Sequence, residues 1–251
     1  MRENPAAIII EQLHVRYKNH LLFNQLDFQL PAQKWTCLLG PSGVGKTTLL
    51  RFIAKLKYAK DTTCCGNIKN QQELQHNIAY MAQQDSLLPW LDIIDNVLIG
   101  YKLRQEKITF RLKQTATELL KNVGLANFKN FKPQQLSNGM RQRVALVRTL
   151  LENRPIILMD EPFSALDVGT KFKLQNLAYQ LLAKRTVLLV THDPLEALRL
   201  GAYIYTMHGT PGKITGPITL TTTAPRDPTD INLLQQHAKL LQLLTHENIT
   251  T

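Results

Sequence analysis

Residues Gly40-Pro41-Ser42-Gly43-Val44-Gly45-Lys46-Thr47-Thr48 constrain this chain more than any other stretch. An apolar, β-favouring run, Trp35-Thr36-Cys37-Leu38-Leu39, leads into it. Residues 49–54, Leu-Leu-Arg-Phe-Ile-Ala, lead out with apolar positions at helical spacing, so the segment reads as strand, glycine loop, helix. That order is what a phosphate-binding loop requires. Glycines let backbone N–H groups turn inward around a β-phosphate, Lys46 brings a cation to the β- and γ-phosphates, and the Thr47 hydroxyl can ligate Mg²⁺. The residues point to a nucleoside triphosphate site in an α/β domain.

The chain has 251 residues, 44% of them hydrophobic, enough for one large α/β domain or two modest ones. No apolar run reaches the roughly 18 residues of a membrane span, and Met1-Arg2-Glu3-Asn4-Pro5 lacks the apolar core of a signal peptide, so the expectation is a cytosolic chain. Cys37, Cys64 and Cys65 are too few and too poorly spaced for a disulfide framework or a zinc site. The formal charge of +11 invites nucleic acid, a membrane surface or an acidic partner. Residues 101–132 hold eight Lys/Arg against Glu106 and Glu118, so six of the eleven net charges sit there.

Along the chain, residues 8–15 and 26–30 read as strands around a polar turn at Lys18-Asn19-His20, with Tyr17 just beyond the first. A flat ring there is the nearest upstream surface on which a purine could stack. Residues 57–77 read as irregular, followed by a short strand at residues 78–81 and then Gln83, placed to reach Mg²⁺ or its waters. Residues 92–152 carry helical patterning, with Leu112, Ala116, Leu119, Leu120 and Val123 on one face of a helix ending at Gly124. Ser137 and Asn138 are cap-type residues before another helix, and a Ser-Asn-Gly helix start suits an anion.

Ile156-Ile157-Leu158-Met159 is a buried strand by its unbroken apolarity, and it ends in Asp160-Glu161. Two carboxylates at the tip of a central strand are costly unless they hold a metal or do acid/base work. Residues 186–190 repeat the pattern and deliver His192 to the same edge. Residues 203–220 read as two or three short strands, 221–228 as a linker by composition, and a helix starts at Ile231.

Taken together these residues resemble the ATP-binding subunits of ABC transporters over essentially the whole chain. The motifs stand in that family's order: phosphate loop 40–48 (Walker A), Q-loop Gln83, signature 136–140, Walker B with Asp160 and Glu161, D-loop Ser164-Ala165-Leu166-Asp167, and switch His192. The resemblance implies ATP and Mg²⁺ as cofactors, with Tyr17 stacking adenine, and Thr47, Gln83 and Asp160 as the Mg²⁺ partners. It makes Glu161 the general base and His192 a γ-phosphate sensor, with Ser137 and Gly139 acting across a dimer and Asp167 of the D-loop among the nucleotide-binding residues. Leu87-Leu88-Pro89-Trp90-Leu91 and Pro225-Arg226-Asp227 look like the nitrate, sulfonate and taurine importers, a group that includes relatives handling thiamine pyrimidine precursors. One departure stands out: Asn138 replaces the first glycine of Leu-Ser-Gly-Gly. Asn tolerates left-handed backbone, which would preserve the loop conformation, while its side chain bears on the closeness of the trans contact.

The implied fold is a P-loop NTPase core with a mainly parallel sheet, an N-terminal antiparallel β region and an all-helical insertion. Residues 1–83 and 153–220 form the core, 84–152 the helical signature subdomain, and 221–251 a C-terminal linker and helix. The implied function is an ATPase powering solute import, peripheral on the cytoplasmic face of the inner membrane. Its implied partners are a membrane permease, a second ATPase subunit and, indirectly, a substrate-binding protein, with no nucleic acid. A soluble ABC ATPase acting on nucleic acid or ribosomes, or a regulatory module with little turnover, are the alternatives. The first usually has two cassettes per chain or a long coiled-coil insertion.

Overall fold

The structure, a computed structural model, describes residues 8–58, 61–69, 74 and 76–247. Residues 1–7, read above for the absence of a signal peptide, lie outside the described residues, as do parts of the stretch 57–77. Two sheets carry the fold. A three-stranded antiparallel sheet runs β2-β1-β4, formed by β1 (Ile8–Tyr17), β2 (His20–Leu30) and β4 (Thr62–Ile68). A six-stranded sheet runs β5-β6-β7-β3-β8-β9. Its strands β5 (Ile78–Met81), β6 (Ile156–Asp160), β7 (Thr186–Thr191), β3 (Trp35–Leu39) and β8 (Tyr203–His208) are parallel. Antiparallel β9 (Lys213–Thr219) closes the edge.

Alternation along the central strands separates two cores. Cys37 and Leu39, Ile157 and Met159, and Val187 and Leu189 pack toward the helical layer. Leu38, Ile156, Leu158, Leu188 and Val190 pack instead against α1 (Lys46–Ile53) and the antiparallel sheet. With both faces covered, β3, β6 and β7 are buried at every residue, which is why they read as unbroken apolar runs.

Between β5 and β6 the chain is helical: α2 (Ile93–Val97), α3 (Ile99–Leu103), α4 (Phe110–Asn122) and α5 (Asn138–Leu151). Side-chain caps start three of them, Asp92 accepting from Asp95 N, Thr109 from Leu112 N and Ser137 from Met140 N. After β6 come α6 (Val168–Leu181), α7 (Pro194–Leu200) and finally α8 (Ile231–Glu247). Among the described residues no helix is long and apolar enough to cross a membrane.

Three local expectations are corrected. Residues 62–68 are not irregular but form β4 on β1; Thr-Thr-Cys-Cys-Gly-Asn-Ile offers small, half-buried residues with no apolar alternation to read. The second strand begins at His20 rather than 26, and Tyr17 is the last residue of β1 rather than beyond it. Residues 221–228 hold no helix or strand, but the stretch is anchored: Ala224 is buried, and the buried Arg226 donates to Thr222 Oγ1 (2.6 Å), Leu198 O (2.7 Å) and Gly201 O (2.9 Å). A cation thus satisfies carbonyls at the end of α7 and fastens the segment there.

Candidate nucleotide site

Because β3, β5, β6 and β7 are parallel, their carboxyl ends share one edge, and each delivers functional side chains to it. From β3 comes the glycine loop. Gly45 has φ 115°, and a Cβ there would stand 2.7 Å from the Phe23 ring, so both backbone and space demand glycine before α1 can start. Pro41, Ser42 and Gly43 are exposed, while Val44, Gly45 and Thr48 are half-buried. Lys46, the first residue of α1, is buried, and its Nζ donates to Gly40 O (2.7 Å) and Pro41 O (2.8 Å). The ammonium therefore lies folded over the loop, held by carbonyls that a phosphate would outcompete as a charged acceptor. Burial lowers its pKa, opposed by the charges of Glu161 and Asp160.

From β6 come the two carboxylates. Asp160 is 1% exposed and its Oδ2 accepts from Thr47 Oγ1 at 2.7 Å. Burial raises its pKa, and the Thr47 bond works the other way. Glu161 has φ 49°, an uncommon conformation for a residue with a side chain, held by its N–H to Val190 O at 2.9 Å. That turn brings its Oε2 3.1 Å from His192 Nδ1, supplied by β7, and 3.4 Å from Gln83 Nε2, supplied by β5. Loop 40–48, Gln83, Asp160, Glu161 and His192 thus meet at one edge.

The remaining candidates lie elsewhere in the single chain. Ser137 caps α5, accepting from Met140 N at 3.3 Å. Gly139 sits against the D-loop: a Cβ there would stand 2.9 Å from Ala165 O. Asn138 is the first residue of α5 and does not use the left-handed region, which corrects the backbone expectation for it. Asp167 caps α6 by accepting from Thr170 N at 3.0 Å, and this bond holds its carboxyl below the usual range. Tyr17 ends β1, 45% exposed as a residue, with the Lys18 ammonium 5.8 Å from its ring centroid.

Several residues that matter here were not singled out from the sequence. Buried Gln142 donates to Glu161 O (2.9 Å) and Ser164 Oγ (3.2 Å) and accepts from Ala165 N (2.9 Å), joining α5 to both the carboxylate and the D-loop. Lys171 pairs with Asp193 (2.6 Å) and Glu196 (3.0 Å), tying the first turn of α6 to the residue after His192. Fully buried Asn96 accepts from Leu88 N at 2.7 Å and donates to Leu88 O, Leu91 O and Asp92 O, fixing the loop that presents Trp90. A buried polar side chain demands partners, but a single sequence does not mark which Gln or Asn is buried.

Residues 23–164 match the family model described as ABC transporter. The chain belongs to the ABC transporter family. It is 40% identical to an uncharacterized ABC transporter ATP-binding protein of Haemophilus influenzae, covering 95% of this chain and 98% of the relative. It is 35% identical to an aliphatic sulfonates import ATP-binding protein of Pseudomonas syringae, covering 99% and 100%. Among solved structures, a dimeric bacterial ABC transporter cassette superposes with a TM-score of 0.74 at 28% identity, covering 86% of this chain and 100% of that one. A dimeric post-hydrolysis cassette bound to ADP and Pi superposes with the same TM-score at 29% identity. The cassette fold expected above is therefore the fold observed.

Proposed function

We propose that this cassette is the ATP-hydrolysing subunit of an importer for small organic anions of the aliphatic sulfonate class, with nitrate, taurine and thiamine pyrimidine precursors as the neighbouring choices. The observation that carries the ATPase reading is the convergence of Lys46, Thr47, Asp160, Glu161, Gln83 and His192 at one sheet edge. The sulfonate reading rests on relatives at 35–37% identity named as sulfonate import proteins.

Each side chain's part follows from its chemistry. The loop amides and Lys46 bind and orient the β- and γ-phosphates, and Lys46 exchanges two neutral carbonyl acceptors for charged oxygens. The Thr47 hydroxyl and Asp160 carboxylate, already 2.7 Å apart, form an all-oxygen set that suits Mg²⁺, with Gln83 as a third donor. When bound, Mg²⁺ neutralises phosphate charge. Glu161 accepts the proton of the attacking water at Oε2, and Gln83 and His192 hold that carboxylate from either side. His192 then faces the γ-phosphate as its sensor. Tyr17, exposed at the end of β1, stacks the adenine.

Ser137, Gly139 and Asp167 complete the site of a second cassette, so the working unit is a dimer beneath a membrane permease, on the cytoplasmic face. The exposed Trp90, Leu103 and Phe110, all in the helical segment 84–152 that we take as a subdomain separate from the core at 1–83 and 153–220, give the permease its apolar footing. A substrate-binding protein delivers the solute to the opposite side. The test is uptake of labelled aliphatic sulfonate in cells lacking this chain. Wild type should restore uptake and Glu161→Gln should not; uptake unaffected by loss of the chain contradicts the importer reading.

A further inference from the structure

Arg141, in the first turn of α5, uses all three guanidinium nitrogens, one on the loop after Gln83 and two on the turn that starts its own helix. Its Nε donates to Asp85 Oδ2 at 2.9 Å, two residues beyond Gln83; Nη1 donates to Leu136 O at 3.1 Å; and Nη2 donates to Asn138 Oδ1. The next residue, Gln142, holds the carbonyl of Glu161 and the amide of Ala165. Around these bonds lies a cavity of about 480 Å³ lined by Gln83, Asp85, Asn138, Arg141, Gln142 and Ser164. The start of α5 and the loop after Gln83 thus face each other across open space, bridged by Arg141. A glycine at 138 carries no acceptor and would leave Nη2 without this partner.

We infer that Arg141 is a positioning residue that fastens the signature helix start to the Gln83 loop, and that the Asn138 side chain, from within the same helix start, holds its guanidinium in place for that contact. The geometry resolves the departure from Leu-Ser-Gly-Gly. Asn138 does not imitate a glycine backbone; it uses its side chain as an acceptor for Arg141, lying back along its own helix. The Arg141–Asp85 pair is itself only partly exposed, 30% and 28%, so the attachment is not a freely solvated surface contact. Movement of the Gln83 loop, which reaches Glu161 through Gln83 Nε2, is then transmitted to Ser137 and Gly139. The functional consequence rests on the dimeric reading above, in which those two residues meet the partner's nucleotide; the attachment itself does not.

The experiment is a double-mutant cycle on the full-length chain, Asn138→Gly and Arg141→Lys singly and together, with Asn138→Asp as the variant that keeps the acceptor. Amide hydrogen exchange in the nucleotide-free chain is read at residues 84–88 and 136–142. Asn138→Gly should raise exchange there several-fold when Arg141 is intact and add nothing further when Arg141→Lys is already present, while Asn138→Asp retains wild-type protection. Additive effects, or loss of protection in Asn138→Asp, overturn the attachment. ATP-driven dimerisation of the same variants carrying Glu161→Gln is read in parallel and should be non-additive in the same pairs. A reference that fails to dimerise would count against the dimeric reading, and the exchange cycle would still decide the attachment.

Discussion

Replacing Gln142 by Leu removes the three bonds that join α5 to the carboxylate edge while keeping size and apolar volume. Two of the partners keep other bonds: Glu161 O still accepts from Ser164 Oγ at 3.0 Å, and Ser164 Oγ retains that contact. Ala165 N–H, bonded to Gln142 Oε1 at 2.9 Å, is left unpaired. Each such bond contributes about 0.5–1.5 kcal/mol net, and Ala165 is exposed, so water can take up its N–H without the penalty of a buried unpaired donor; the expected loss is about 1–3 kcal/mol. For a chain of this size that is a fall of about 2–12 °C in melting temperature. The substitution leaves Lys46, Thr47 and Asp160 untouched, so ATP affinity should hold while kcat falls, because the backbone turn that aims Glu161 is loosened. Thermal unfolding, nucleotide titration and steady-state hydrolysis on one preparation check all three. A variant within about 0.5 kcal/mol of wild type, the range of an ordinary surface change, would refute the assignment of Gln142 as a structural joint.

Two other expectations follow from charge. Asp160 has its pKa raised by burial in the nucleotide-free chain, so its ionised form costs stability above the ordinary carboxylate value of 3.8. Asp160→Asn should therefore raise the melting temperature at pH 7 while abolishing Mg²⁺-dependent hydrolysis, and the stability gain should vanish as pH falls toward 4; a destabilised variant at pH 7 would contradict the sign. Lys107, Arg111 and Lys113 are exposed at the start of α4, whereas Lys102 pairs with Asp95 and Arg104 with Glu106 and Glu152. Changing those three to Gln should weaken flotation with anionic liposomes and weaken it less as salt rises; equal binding would remove the membrane surface as the partner of the basic segment.

The sheet edge was legible because its strands are. β3, β6 and β7 are covered on both faces, so their apolar runs stand out and the break at their ends, the glycine loop from Gly40, Asp160 and His192, is marked by contrast. β4 was not legible, since its burial alternates between half-buried and exposed small residues. Nor was the anchoring of 221–228, where Thr, Ala and Pro look like a linker until Arg226 is seen inside four carbonyl and hydroxyl contacts. Asn138 shows a subtler limit. Its type was read against the glycine it replaces, when its partner, Arg141, lies three residues on and answers to a contact with Asp85 far away in sequence.

The central claim is that binding and hydrolysis are divided between different side chains of one site, Lys46 holding phosphate and Glu161 activating water. Size-exclusion chromatography with light scattering, in Mg²⁺ and ATP, tests it most directly. Glu161→Gln keeps the phosphate loop and loses the proton acceptor, which slows hydrolysis by about 10²–10⁴, so an ATP-held dimer should accumulate. Lys46→Ala loses the cation and should remain a monomer. Identical oligomeric states for the two variants, or wild-type hydrolysis by Glu161→Gln, would contradict the account.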